Sequence, residues 1–490
     1  MWRFIGNWKL KIGNLLLFLL PLQTQWIFRA GQLRGQPWEY GTIGIFAVDV
    51  LVIGLALWEA GVAWRAPGSQ GMLRLNGLGT VGWWIGALLL QILLSIIAAK
   101  DRSIAWIHTL WVAEAIALGW MVARSSVPRQ IAGAFVAGGA LQALLGLWQF
   151  FTQSTFASTL FGLAVHPTWQ GGTSVIEVVG ERWLRAYGGL PHPNILGGWM
   201  AVAIIIASFL LSTEGRPRIR LLLYCCIAVL SSGLAVSFSR SAWIAAAVGT
   251  VVVFLLSLRA TISRHPGLAS LPAGRYGIRS DSGHPASREK RDQAGMTTRL
   301  LLPLSIVFFS ISAILLPYRS LLVTRLESTA RLEQISINQR GQQYQQAWEL
   351  VRSQSWIRSG GWVGVAGIGN YTRVVSDRHP DMPVWSIQPV HNVFALVAVE
   401  LHRISLFWVA LIVYYTFKKS LGITPLSSLR RHIKTALQDP RSTLSLALFV
   451  ALLPLLFLDH YFWSLHGGLL LLGAVFGFIS LGRIMDPTPS

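Results

Sequence analysis

Apolar residues along this chain gather in runs of about 20, the length a helix needs to cross the hydrocarbon core of a bilayer. Polar residues collect between the runs. By that length rule, spans fall near 12–28, 42–64, 78–99, 104–122, 130–151, 193–212, 221–236, 242–258, 300–317, 391–416, 442–458 and 464–482, about twelve in all. The predicted fold class is an all-α polytopic membrane protein. Two connections, 153–192 and 318–390, are too long to be turns. In the second, Leu332, Ile335, Tyr344, Ala347, Trp348 and Val351 recur at roughly helical spacing, which predicts an amphipathic helix over 328–353. Gly360, Gly361, Gly364, Gly367 and Gly369 then predict a turn-rich stretch. Residues 259–298 mix Gly, Pro and Ser with charge and read as a disordered basic loop. The chain thus divides into spans 1–5 (1–152), a first long loop (153–192), spans 6–8 (193–258), the basic loop (259–298), span 9 (299–317), a second long loop (318–390) and spans 10–12 (391–490).

Composition agrees with a bilayer as the main solvent. Of the 490 residues 53% are hydrophobic and only 12% charged, with a mean hydropathy of +0.52, against roughly 25% charged in soluble domains. A water-soluble fold would leave large apolar patches exposed. The net charge of +21 is then a topology signal rather than an attraction to nucleic acid. With both termini cytoplasmic, 25 of the 41 Lys and Arg residues fall on the inner side, and the short loops favour that orientation. The two long loops are then outer, and the expected location is the cytoplasmic (inner) membrane. The first run lacks a small-residue cleavage site and reads as a retained span. Cys225 and Cys226 are adjacent inside an apolar run, so no disulfide framework or thiolate metal site is expected.

Candidate chemistry lies where outer polar clusters meet helix starts. Three even-numbered spans begin this way: span 6 after Arg185-Ala-Tyr-Gly-Gly-Leu-Pro-His192-Pro193-Asn194, span 8 after Ser237-Phe-Ser239-Arg240-Ser241, and span 10 after Pro389-Val-His391-Asn392. An arginine beside a helix N-terminus favours phosphate oxygens, and two such sites on one face can clamp a diphosphate. Arg240 sits in a very short turn between apolar spans, where a charge needs a partner. Arg185 is also open to a solvated loop role, and His192 and Asn194 to helix capping. The helix dipole disfavours an imidazolium at His391, leaving a neutral ring able to accept a proton. Asp49, Glu59, His108 and Glu114 look scattered, and Glu400 with Arg403 fits an internal i,i+3 pair. Asp377-Arg-His379-Pro-Asp381 is a weak metal candidate, since Pro380 prevents a regular helix through it. The chain contains no Gly-x-x-x-x-Gly-Lys-Ser/Thr and no Gly-x-Ser-x-Gly. No metal and no cofactor are expected.

Taken together, the Arg185–Asn194 run, the Ser-Phe-Ser-Arg240-Ser-Ala-Trp turn, Arg340 followed by Trp348-Glu-Leu-Val, Gly364-Val-Ala-Gly367-Ile-Gly369-Asn-Tyr, and His391-Asn-Val-Phe through Glu400 resemble the O-antigen ligase superfamily. The resemblance covers about 185–403; the usual Glu-Gly after the His-bearing span reads Glu400-Leu-His402-Arg403 here. It implies inverting, metal-independent transfer from a polyprenyl-diphosphate-linked glycan on the outer face of the cytoplasmic membrane. The acceptor is a hydroxyl of lipid, protein or glycan. It further implies that Arg185 and Arg240 hold the donor diphosphate, that His391 assists the acceptor hydroxyl, and that Arg340 is a further substrate-binding arginine. A polysaccharide polymerase using a second lipid-linked glycan fits the same residues, and a transporter of anionic lipid-linked solutes is the competing class.

Overall fold

Three helices begin on a proline, which lacks the N–H that a first turn cannot use and has its φ already set for helix. These are α5 (Pro128–Thr152), α6 (Pro193–Thr213) and α7 (Pro217–Ser237). The computed structural model describes residues 2–65, 80–264, 301–327, 330–354, 363–421 and 442–481. The basic loop beyond residue 264, Gly360 and Gly361 lie outside them.

The chain opens with α1 (Trp2–Leu19), then β1 (Gln25–Arg29), β2 (Gln32–Leu33), β3 (Gln36–Pro37) and β4 (Ile43–Phe46), followed by α2 (Ala47–Arg65). The expected first span at 12–28 is therefore corrected. Its helix stops at Leu19, and β1 pairs antiparallel with β4, Gln25 opposite Phe46. The polar run Gln23-Thr24-Gln25 gives the backbone a sheet partner instead of a further helical turn. Next come α3 (Thr80–Ala98), α4 (Arg102–Ala123), capped by Asp101 accepting from the N–H groups of Ser103 and Ile104, and α5. Residues 153–192 hold a hairpin that periodicity did not predict, β5 (Val175–Val178) with β6 (Glu181–Leu184).

After α6 and α7 come α8 (Arg240–Arg264), α9 (Leu301–Leu315), α10 (Arg319–Glu327), α11 (Arg331–Arg352) and α12 (Tyr371–Arg378). The amphipathic helix expected over 328–353 corresponds to α11. The chain continues through α13 (Val393–Leu401), α14 (Ser405–Leu421), α15 (Thr443–Leu458), α16 (Tyr461–Ser464) and α17 (His466–Leu481). Among the described residues six helices, α3 to α8, are long and apolar enough to cross a membrane. A seventh candidate joins α9 to the segment beyond it through a 99° bend. The protein is thus a mostly helical membrane protein, and the twelve expected spans are not confirmed among the described residues. In the last third, apolar helices are broken short: Ser405–Lys418, Thr443–Leu458 and His466–Leu481.

The break at 402 has a physical basis. His402 takes φ 98°, ending α13, and side-chain amides donate to carbonyls of its last turn: Gln91 Nε2 to Leu401 O at 2.8 Å and Gln354 Nε2 to Ala398 O, which also accepts the His402 N–H, at 2.7 Å. Non-helical backbone is tolerated at membrane depth only with such partners. The turn expected around Gly364–Gly369 is present, and Gly369 shows why glycine is needed. Its φ is +73°, and a Cβ would lie 2.7 Å from the His108 ring. At the centre stands α6, packed by α5, α7, α8 and α15, with 94% of its apolar window buried. Helix α17 runs along α4.

Candidate functional site

The start of α6, the end of α7, the start of α8 and the segment after α15 meet at one end of the bundle. Arg185, just beyond β6, is buried there. Its Nε donates to the Ser237 carbonyl at 2.9 Å, and its terminal nitrogen to Asn194 Oδ1 at 2.7 Å. Asn194 Nδ2 donates to Asp459 Oδ1 at 2.7 Å, and the Ser241 hydroxyl donates to the other Asp459 oxygen. A buried cation and a buried carboxylate are thus joined through one amide. Burial and neighbouring Arg325 oppose the Arg185 charge, while Tyr187, Glu333 and Asp459 support it. Burial raises the Asp459 carboxyl, and Ser241, Arg340, Asn194 and Arg185 counteract that.

A second layer comes from α10 and α11. Arg325 forms a close ion pair with Glu333 and donates through Nε to the Phe238 carbonyl. On α11, Glu333, Arg340 and Gln343 are spaced by seven and three residues, so they share one face. That face closes a cavity of about 370 Å³. Five arginines, Arg182, Arg185, Arg325, Arg331 and Arg340, line it with a single carboxylate, Glu333. The Arg340 Nε is buried and has no hydrogen-bond acceptor. Arg331 is exposed and pairs with Glu177 at 3.1 Å, while Arg185 and Arg325 are buried; such an excess of guanidinium donors over carboxylates is suited to a polyvalent anion.

His391 lies on the same cavity. Its Nδ1 is 2.7 Å from Gln343 Oε1. A carbonyl oxygen only accepts, so Nδ1 carries the proton and Nε2 the lone pair. Burial, then His460, Arg340 and His192, hold this imidazole well below its ordinary pKa. The neutral ring expected from the sequence is therefore retained mainly by desolvation, with nearby cationic and imidazole groups adding to it. The His460 ring stands edge-on to His391 at 4.9 Å. Tyr344 donates to the His391 carbonyl at 3.1 Å, and Asn392 caps α13 through the Ala395 N–H.

The remaining candidates separate. His192 is the N-cap of α6, accepting from the Asn194 N–H at 3.1 Å through Nδ1, while its Nε2 lies 3.0 Å from the Ser174 hydroxyl. Asn194 is a bridge between Arg185 and Asp459. Arg240 does not line the cavity; it donates to the Arg325 carbonyl at 3.2 Å and lies 3.7 Å from Glu333. Arg340, expected as a further substrate-binding arginine, does line it. Glu400 accepts from Trp463 Nε1 at 2.7 Å and from the Tyr371 N–H at 3.3 Å. Because α13 ends at Leu401, the expected helical Glu400–Arg403 pair is corrected: the two are not one helical turn apart. Asp377 pairs with Lys100. The acids that looked scattered in sequence are not all so, since Asp49 and Glu114 converge on His466.

Arg325, Glu333, Gln343, Asp459 and His460 are the site residues that sequence reasoning missed. Asp459-His460 did carry a signal, a charge between two apolar runs, where ionisable groups are costly without a role. No family model and no curated protein matches the chain.

Proposed function

We propose that this protein is a membrane glycosyltransferase of the O-antigen ligase type. It moves a glycan from a polyprenyl-diphosphate carrier to an acceptor hydroxyl at the outer face of the cytoplasmic membrane. The observation that carries this reading is the five-arginine cavity with one carboxylate, faced by a neutral histidine. Arg185 and Arg340 bind the diphosphate oxygens, and Arg325 and Arg331 extend the positive wall. Arg240 acts one layer back by holding Glu333 and the Arg325 backbone. The acceptor oxygen attacks the anomeric carbon from the side opposite the diphosphate, its proton passes to His391 Nε2, and the anomeric C–O bond breaks with both electrons leaving on the diphosphate. A desolvated imidazole is a weak base, so proton transfer is late, once bond breaking has made the hydroxyl acidic. The leaving group needs no general acid, because the arginines stabilise its charge.

The test is transfer from a defined lipid-diphosphate-linked glycan in membranes or nanodiscs. Arg185→Ala and Arg340→Ala are each expected to lose about 10²–10³ in turnover, the usual effect of removing one preorganised charge-stabilising donor. His391→Ala is expected to lose a comparable factor. Full transfer by all three variants, or loss of lipid-solute transport with transfer intact, overturns the reading.

A further inference from the structure

Away from the arginine cavity, three helices bring one potential ligand each to a common point: Asp49 in the first turn of α2, Glu114 in α4 and His466 at the start of α17. All three side chains are at most 3% exposed. Their ligand atoms lie within 4.8 Å of one another, with His466 Nε2 2.7 Å from Asp49 Oδ1 and 3.6 Å from Glu114 Oε2. We propose that this cluster is a binding site for a divalent transition-metal ion, with zinc the best chemical match.

Unfilled ligand capacity supports the assignment. Neither Glu114 oxygen has a hydrogen-bond donor, and Asp49 Oδ1 and both His466 nitrogens lack hydrogen-bond geometry. The other Asp49 oxygen accepts from the Phe46 N–H at 2.7 Å, so the carboxylate is held with Oδ1 facing His466. Phe46 stacks on the His466 ring at 4.0 Å and 7°, fixing the imidazole plane. Such partners set the orientation of metal ligands.

Charge favours the same conclusion. Two carboxylates face one imidazole at buried positions, a set that is costly to leave with uncompensated negative charge. A divalent ion with a neutral imidazole brings the site to zero charge. One nitrogen and two carboxylate oxygens form the borderline donor set of zinc, manganese or ferrous iron; magnesium and calcium prefer oxygen alone. Small movements suffice to bring the three ligand atoms to about 2.0–2.2 Å from one ion. An entry route exists, because His466, Phe46 and Trp111 also line a cavity of about 330 Å³. That cavity is walled by Gly188 to Pro191, the segment leading into His192. The ion ties α2, α4 and α17 together beside the loop that carries the arginine site, with its remaining position open to that cavity, and its existence does not depend on the glycosyltransferase reading.

The experiment is elemental analysis of tag-free full-length protein in detergent, incubated with zinc, manganese and ferrous ions and then gel-filtered. The expected result is about one ion per chain in the wild type, and at least a five-fold lower content in Asp49→Asn and Glu114→Gln. Stripping the wild type with a chelator is expected to lower its melting temperature, with recovery on adding zinc. Less than about a tenth of an ion per wild-type chain, or equal metal in wild type and monodisperse variants, overturns the proposal. The wild-type measurement decides even if a variant does not fold.

Discussion

At His391 a single hydrogen bond and burial set the chemistry. Gln343 fixes which nitrogen is protonated, and burial, His460, Arg340 and His192 keep the ring neutral. The folded-state pKa thus lies below the ordinary value of about 6.5. The active neutral form persists as pH falls, and is lost only as pH passes through the lowered folded value. The acid limb of transfer rate against pH is therefore expected below pH 6.5. Arg340→Gln removes one of the opposing charges and is expected to move that limb upward while lowering the plateau. A wild-type limb at or above 6.5, or a limb unmoved in the variant, contradicts this assignment. Arg185 and His391 were legible as single residues because a charge or imidazole beside a helix start has few inexpensive environments, whereas Arg340, in the middle of α11, was named only through the resemblance. Gln343 was not legible, since a glutamine on an amphipathic helix usually faces water and only tertiary packing brings it to a histidine.

At the scale of elements, the site depends on how helices stop. Asp459 follows α15 and holds both Asn194 at the start of α6 and Ser241 at the start of α8. Replacing it by alanine leaves those two donors without a buried acceptor and removes a carboxylate that supports the Arg185 charge, so Asp459→Ala is expected to cost about 3 kcal/mol. Thermal unfolding in detergent measures this, and Asp459→Asn is expected to lose less. An unchanged melting temperature for both would show that the bridge is energetically idle. Spans 6 to 8 were readable because each is a continuous apolar run with a proline or polar start. The first and tenth were misdrawn because an apolar run does not announce where its backbone will pair or break. The chain joins a sheet from Gln25, and the 391–416 run divides at His402, where Gln91 of α3 and Gln354, just past α11, donate to the carbonyls. Those partners are invisible to a window of about 20 residues.

For the whole molecule, hydropathy established the membrane class and gave the order of the polar clusters, but not which clusters meet. Arg240 and Arg340 illustrate the difference. The sequence favours Arg240 for its short turn, yet folding turns it onto Glu333 and brings Arg340, a hundred residues later, into the cavity. The convergence of Asp49, Glu114 and His466 from three helices was equally hidden, as sequence distance says little about lateral packing. The enclosure of α6 has a mechanical consequence. A helix with 94% of its apolar window covered by protein has almost no surface on which lipid can push. Thinner or thicker bilayers strain lipid-facing helices by fractions of a kcal/mol per Å, so α3, with only 22% of its window buried, is expected to absorb that strain. The Arg185–Asn194–Asp459 chain hangs from α6 and is thereby insulated from its surroundings. Turnover in nanodiscs of short and long acyl chains, at saturating donor, is expected to agree within about two-fold, and a steep dependence would mean that the membrane reaches the site by another path.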